Sequence, residues 1–247
     1  PADRISITGS LKFDSLPVPG SALGSPRAPD RVLRVFDGAA RRPVLVAGST
    51  LPGEDEILLR SFERIRTLVG GALLILAPRR PERFGEVVSL SCQAGFRTVR
   101  RTALIVGGEL RADVVVLDTI GELAQVYQLA TVVFVGGSLV DMGGHNILEP
   151  AVLGKPIVFG PHMQNFQEIA ETFVRNASAV QVSGPRELED TLVDLLTRPE
   201  RRVRLGQAAR ALVEANRGAR TRTLEVIARL LPLPGQGGRV VPFPVWR

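Results

Sequence analysis

The stretch GGSLVDMGGHNILEP, Gly136 to Pro150, places two glycine pairs ahead of a His-Asn pair and a carboxylate, directly after the apolar run TVVFV. Glycine lets another group approach the main chain closely, and a helix that starts behind it offers N–H groups and a positive dipole end to an anion. A glutamate one turn in can accept two hydrogen bonds from a vicinal diol such as ribose. Asn146, Ile147, Leu148 and Glu149 are therefore candidates for holding a phosphate-bearing sugar compound, with the glycines admitting the phosphate. The plainer reading is two tight turns that need glycine for positive φ, with His145 a satisfied loop residue.

Three further stretches pair chemistry with the end of an apolar run. In APRRPERF, Pro78, Arg79 and Arg80 follow ALLIL and precede Pro81, which suits the start of a helix. A guanidinium there can fork onto phosphate oxygens, although solvated arginines are common in this sequence. In LDTIGEL, the main chain of Ile120, Gly121 and Glu122 can lie beside a nucleobase, unless Asp118 or Thr119 merely caps a helix. In AGSTLPGEDE, Ser49 and Thr50 precede Gly53 and the acidic trio Glu54, Asp55 and Glu56, which suits an ordinary helix N-terminus. No GxGxxG stands at this turn, which argues against a nicotinamide-dependent oxidoreductase.

The elements that must position these residues are legible as alternation. Apolar runs at 44–47, 72–77, 113–117, 131–135 and 156–159, with FRTVR (96–100) and AVQV (179–182), alternate with amphipathic stretches of helical period. Continuous β-branched runs between helices of about 10–16 residues predict βαβ units and a parallel sheet of six or seven strands covered on both faces. The expected fold class is α/β, a Rossmann-like doubly wound sheet, whose ligand crevice lies beyond the C-terminal strand ends. Residues 1–31, rich in Pro, Gly and Ser, read as a linker or arm, 32–231 as one Rossmann-like domain, and 232–247 as a tail. Within that domain, 199–231 is helical in pattern.

Composition narrows the chemistry. The 247 residues carry a net charge of +6, and Lys12 and Lys155 are the only lysines, so the cationic surface is arginine. Such a surface favours anionic partners, or reflects Arg-for-Lys usage on solvated faces. Aromatic content of 5%, with no basic run interleaved with stacking rings, argues against a nucleic-acid partner. No apolar run approaches the roughly 18 residues of a membrane span, and PADRISITGS lacks a signal-peptide layout. One cysteine, Cys92, and two histidines, His145 and His162, leave no internal disulfide and no Cys/His metal-ligand cluster.

Read together and in order, GSLKFD (9–14), the ST and GE pairs at 49–54, PRRPERF (78–84), DTIGEL (118–123), GGSLVDMGGHNILEP (136–150) and GPHMQNF (160–166) closely resemble the C-terminal half of the Kdo transferases. The resemblance implies a B-type glycosyltransferase fold of two Rossmann-like halves, with the C-terminal half binding the donor. It implies transfer of 3-deoxy-D-manno-octulosonic acid from CMP-Kdo to a lipid A precursor in lipopolysaccharide biosynthesis, with no cofactor besides the donor substrate. Residue by residue, it places donor contacts on Pro78 and Arg79, on Ile120, Gly121 and Glu122, and on Asn146, Ile147, Leu148 and Glu149. The general base, acceptor groove and membrane anchor belong in that family to the N-terminal half, which GSLKFD closes. The chain thus looks like a donor-binding domain, incomplete without an acceptor domain. The location so implied is cytoplasmic, at the inner face of the bacterial inner membrane, where an anionic surface is an expected partner. Two positions depart from the family, Leu51 and Arg80, where histidine is usual; both bear on specificity. The competing readings are a UDP-sugar-dependent B-type glycosyltransferase and a non-catalytic module that binds nucleotide or anionic lipid.

Overall fold

The computed structural model of the chain describes residues 5–16, 32–39 and 41–231. The arm expected over 1–31 is therefore described only at 5–16, and the tail expected over 232–247 lies outside the described residues.

Seven strands form over the seven apolar runs: β1 Val44–Thr50, β2 Leu73–Pro78, β3 Thr98–Arg100, β4 Val114–Val116, β5 Val132–Val135, β6 Ile157–Phe159 and β7 Val180–Gln181. All pair in parallel, in the order β3-β4-β2-β1-β5-β6-β7. The doubly wound parallel sheet expected from the sequence is the fold observed. Helices follow the strands: α1 Glu54–Leu68, α2 Phe84–Gln93, α3 Leu123–Val126, α4 Leu148–Val152, α5 Gln167–Arg175, α6 Pro185–Thr197, α7 Pro199–Ala215 and α8 Ala219–Leu230. Leu45, Leu74, Val116 and Phe134 on one face of the sheet share a core with Leu58 and Phe62 of α1 and Leu188 and Leu192 of α6. Val46, Ile75, Val115 and Val133 on the opposite face are also fully buried. Burial on both faces is why these strands read as unbroken apolar runs rather than as alternation.

Three helical expectations are corrected by local geometry. The stretch 121–130 holds only the short α3 and a 3-10 turn, Tyr127–Leu129. The helix expected from Asn146 begins at Leu148, because the Asn146 side chain accepts the Leu148 N–H at 3.0 Å. It stops after one turn, with Gly154 in the left-handed region at φ +67. The helical pattern over 199–231 divides into α7 and α8, with Gly218 at φ +91 between them.

The described chain separates into two compact units. In the smaller, residues 5–15 lie along α8. Asp14, the last residue of GSLKFD, accepts N–H bonds from Gly218 and Arg220, both at 2.7 Å, so it caps the start of α8. Those two amides hold the Asp14 carboxyl below its ordinary value. In the larger unit, residues 16–215, the sheet order turns around at β1, which has β2 on one side and β5 on the other. A switch point of this kind opens a crevice at the strand ends. No helix among the described residues is long and apolar enough to cross a membrane.

A buried carboxylate ties the switch point together. Glu54, in the first turn of α1 and fully buried, accepts the N–H groups of Leu51 at 3.0 Å, Gly137 at 2.6 Å, Ser138 at 3.0 Å and Leu139 at 2.9 Å. Burial pushes its carboxyl above the ordinary value while the four amides pull against that shift. At the other edge, Asp113 enters β4 buried and accepts both Nε and Nη2 of Arg97, at 3.0 and 2.9 Å. That fork, opposed by burial, holds the Asp113 carboxyl below its ordinary value of 3.8.

Glu54→Ala orphans four amides in a mostly buried corner, and we expect urea unfolding to show a loss of about 3–5 kcal/mol, a large share of a domain's stability. Because the folded-state pKa of Asp113 is depressed, its contribution is complete above about pH 4 and is lost as pH falls through the folded value. Asp113→Asn should therefore lower the urea midpoint at pH 7 and flatten its decline between pH 4 and pH 2; an equally steep decline in the variant contradicts this assignment.

Candidate functional site

The ends of β2 and β4 enclose a cleft of about 200 Å³ that gathers Pro78, Arg79, Ile120 and Gly121, four of the nine residues singled out in the sequence. Ser49, at the end of β1, lines it too, and Phe84, Leu117 and Leu123 give it apolar walls. The Arg79 main chain is fixed, its N–H donating to the Thr50 carbonyl at 3.0 Å. Its side chain is exposed, and among the described residues the guanidinium has no hydrogen-bond or ion-pair partner. Ile120 at the rim is a large apolar side chain that is 81% exposed. Gly121 sits at φ +86, a conformation that a residue bearing Cβ rarely adopts.

Glu122 is committed elsewhere. Its carboxylate accepts Arg101 Nη2 at 3.0 Å and the Thr119 hydroxyl at 2.7 Å, which braces the turn and leaves its main chain as the part free to face a ligand. Asp118, read as a possible cap, instead accepts the N–H and hydroxyl of Thr102 at 2.9 and 2.7 Å.

The second group lies on the turn into α4. Asn146 Nδ2 donates to Glu149 Oε1 at 3.3 Å, and the other carboxylate oxygen has no partner among the described residues. Ile147 and Leu148 are buried, so only their main chain can meet a ligand. The Leu148 amide is already taken by Asn146. Electrostatics link the two groups: burial, then the charge of Arg79, lowers the pKa of His145, which favours its neutral form at neutral pH. Tyr127, fully enclosed, is shifted strongly upward by burial and then by the charge of Glu149.

The glycine pairs do a different job from the one expected. The amides of Gly137, Ser138 and Leu139 turn inward onto Glu54. A Cβ on Gly136 would fall 2.5 Å from the Ser49 carbonyl oxygen, and one on Gly137 3.0 Å from the His145 ring. Cβ atoms on Gly143 and Gly144 would collide with Asn165 and Met163. Admission of phosphate at these glycines is therefore corrected: they let strand ends and loops of the protein close on one another.

Sequence reasoning passed over Glu54, read as an ordinary helix start, because nothing local marks a side chain that bonds 83 residues away. It also passed over Arg83, whose guanidinium is buried against Asp55 at 2.8 Å and braces PRRPERF from beneath. The two positions where histidine was expected part company: Leu51 is buried beside Gly137, whereas Arg80 is exposed.

No family model matches the chain. It is 35% identical over 233 residues to a 3-deoxy-D-manno-octulosonic acid transferase of Haemophilus influenzae, and 34% identical over 229 residues to one of Bordetella pertussis. Each match takes in 92% of this chain and 52% of the relative, so the chain spans about half the length of these curated relatives. Among solved structures, it superposes on the C-terminal CMP-Kdo binding domain of WaaA from Acinetobacter baumannii with a TM-score of 0.69 and 30% identity, over 75% of this chain and 97% of that one. The motif series, the switch-point cleft and the near-complete coverage of that domain agree, and the chain belongs to the 3-deoxy-D-manno-octulosonic acid (Kdo) transferase family as its C-terminal domain.

Proposed function

We propose that this domain binds CMP-Kdo as the donor for transfer of Kdo to a lipid A precursor. The observation that carries the reading is the Arg79 guanidinium, unpaired among the described residues and mounted on a rigid strand end beside a cleft with apolar walls. Arg79 pairs with the phosphate of CMP. The exposed Ile120 covers one face of the cytosine, and the main chain of Gly121 and Glu122 meets its edge. Glu149, with one oxygen unpartnered among the described residues and Asn146 steadying the other, takes the ribose hydroxyls. The amides of Asn146 and Ile147, with no hydrogen-bond partner among the described residues, lie beside that pair.

Departure of CMP from the anomeric carbon leaves oxocarbenium character on the sugar and negative charge on the phosphate. Preorganised positive charge where that negative charge develops is commonly a large catalytic contribution. Arg79 does this work. The group that takes the proton from the attacking hydroxyl, the lipid acceptor site and the contact with an anionic membrane face are assigned to the half of the relatives that this chain does not span.

Calorimetric titration tests the donor reading: the chain should bind CMP in preference to UDP and NAD. Arg79→Ala should weaken CMP binding by about tenfold, as loss of a charge-assisted hydrogen bond does. Glu149→Gln should erode the preference for CMP over its 2′-deoxy analogue while leaving affinity for the analogue nearly unchanged. A preference for UDP, or no binding of any nucleotide, contradicts the reading.

A further inference from the structure

The pairing of β1 with β2 slips by one residue between Gly48 and Thr50. Ser49 is the residue left over. It takes φ +58, in the left-handed region, where side-chain-bearing residues other than Asn and Asp are uncommon. Glycine is what an unstrained chain would place there, and Gly48 stands directly before it. A serine kept in this conformation retains a hydroxyl at the expense of backbone relaxation, a pattern associated with functional sites. The slip displaces Ser49 from the regular ladder, and it lines the same cleft as Pro78, Arg79 and Gly121. Thr50, next along, is the contrast: fully buried, with its hydroxyl spent on Asp55 at 2.6 Å. The Ser49 hydroxyl has no hydrogen-bond partner among the described residues. The surroundings fix this geometry from behind, because Gly136 packs against the Ser49 carbonyl with no room for a Cβ.

We propose that Ser49 is a ligand-contacting residue of the cleft, its hydroxyl donating to the same phosphate group that Arg79 pairs with. The inference rests on the donor-site reading and adds to it a neutral donor on the neighbouring strand. A guanidinium approaching from the end of β2 and a hydroxyl from the end of β1 address two oxygens of one tetrahedral anion. This fixes the orientation of the phosphate, which a single cation leaves free to turn. Threonine would supply the same hydroxyl but is β-branched and resists the left-handed region.

Ser49→Gly and Ser49→Ala in the 247-residue chain, each titrated with CMP by calorimetry and melted without ligand, test the proposal. Both variants should bind CMP about tenfold more weakly, and Ser49→Gly should melt at the wild-type temperature or above, because glycine relieves the strained backbone. Equal CMP affinity in wild type and both variants overturns the proposal. So does a loss of affinity matched by a lowered melting temperature in Ser49→Gly, which assigns the hydroxyl to the fold. If the wild-type chain itself does not bind CMP, the donor-site reading fails first and the role of Ser49 falls with it.

Discussion

One buried carboxylate holds the switch point of this sheet in register. Glu54 leaves the first turn of α1 and receives three successive amides that follow β5, as well as that of Leu51 at the end of β1. Amides at a buried loop must find acceptors, and at the point where a doubly wound sheet turns around, neighbouring strands have no further ladder to offer. An ionised carboxylate offers four acceptor sites, and here all four face a donor. The arrangement explains why the loop after β5 can be rich in glycine without being loose, and why the ends of β1 and β5 close so tightly that Gly136 lies on the Ser49 carbonyl.

That rigidity separates structural charges from available ones. In PRRPERF, Arg83 is buried and paired with Asp55, and removing one member of such a pair typically costs about 3–5 kcal/mol. Arg79, four residues earlier, is anchored among the described residues only through its main chain and keeps its charge exposed. An exposed arginine contributes little to stability even when paired, typically 0–1 kcal/mol. Among the described residues the fold makes no use of its charge. The same division runs through the acidic residues: Glu122 is spent on Arg101 and Thr119, while Glu149 keeps an oxygen without a partner among the described residues.

Much of the architecture was legible in the sequence because burial on both faces writes itself as continuous apolar runs, and all seven formed strands. The short helices were not legible. The period over 121–130 and 146–152 fits a helix, but side-chain bonds and glycines settle where one starts and stops: Asn146 takes the Leu148 amide, and Gly154 ends the turn. At the site, motif spacing led to four of the residues that line the cleft, whereas the role of the glycines was misjudged. Glycine signals close approach without naming what approaches, and here it is Asn165, Met163 and the end of β1. Glu54 and Ser49 were visible as letters only. Their importance lies in long-range bonds and in a backbone angle, neither of which leaves a periodic trace.

The cleft at the ends of β2 and β4, beside the switch point, is proposed as a nucleotide site, and Arg79 is the one free cation among the described residues lining it. A crystal structure of the chain with CMP tests this most directly. The account predicts the phosphate within hydrogen-bond distance of the Arg79 guanidinium, the base against Ile120 and Gly121, and the ribose hydroxyls on Glu149. CMP bound away from the strand ends, or bound in the cleft with its phosphate turned from Arg79, would contradict it.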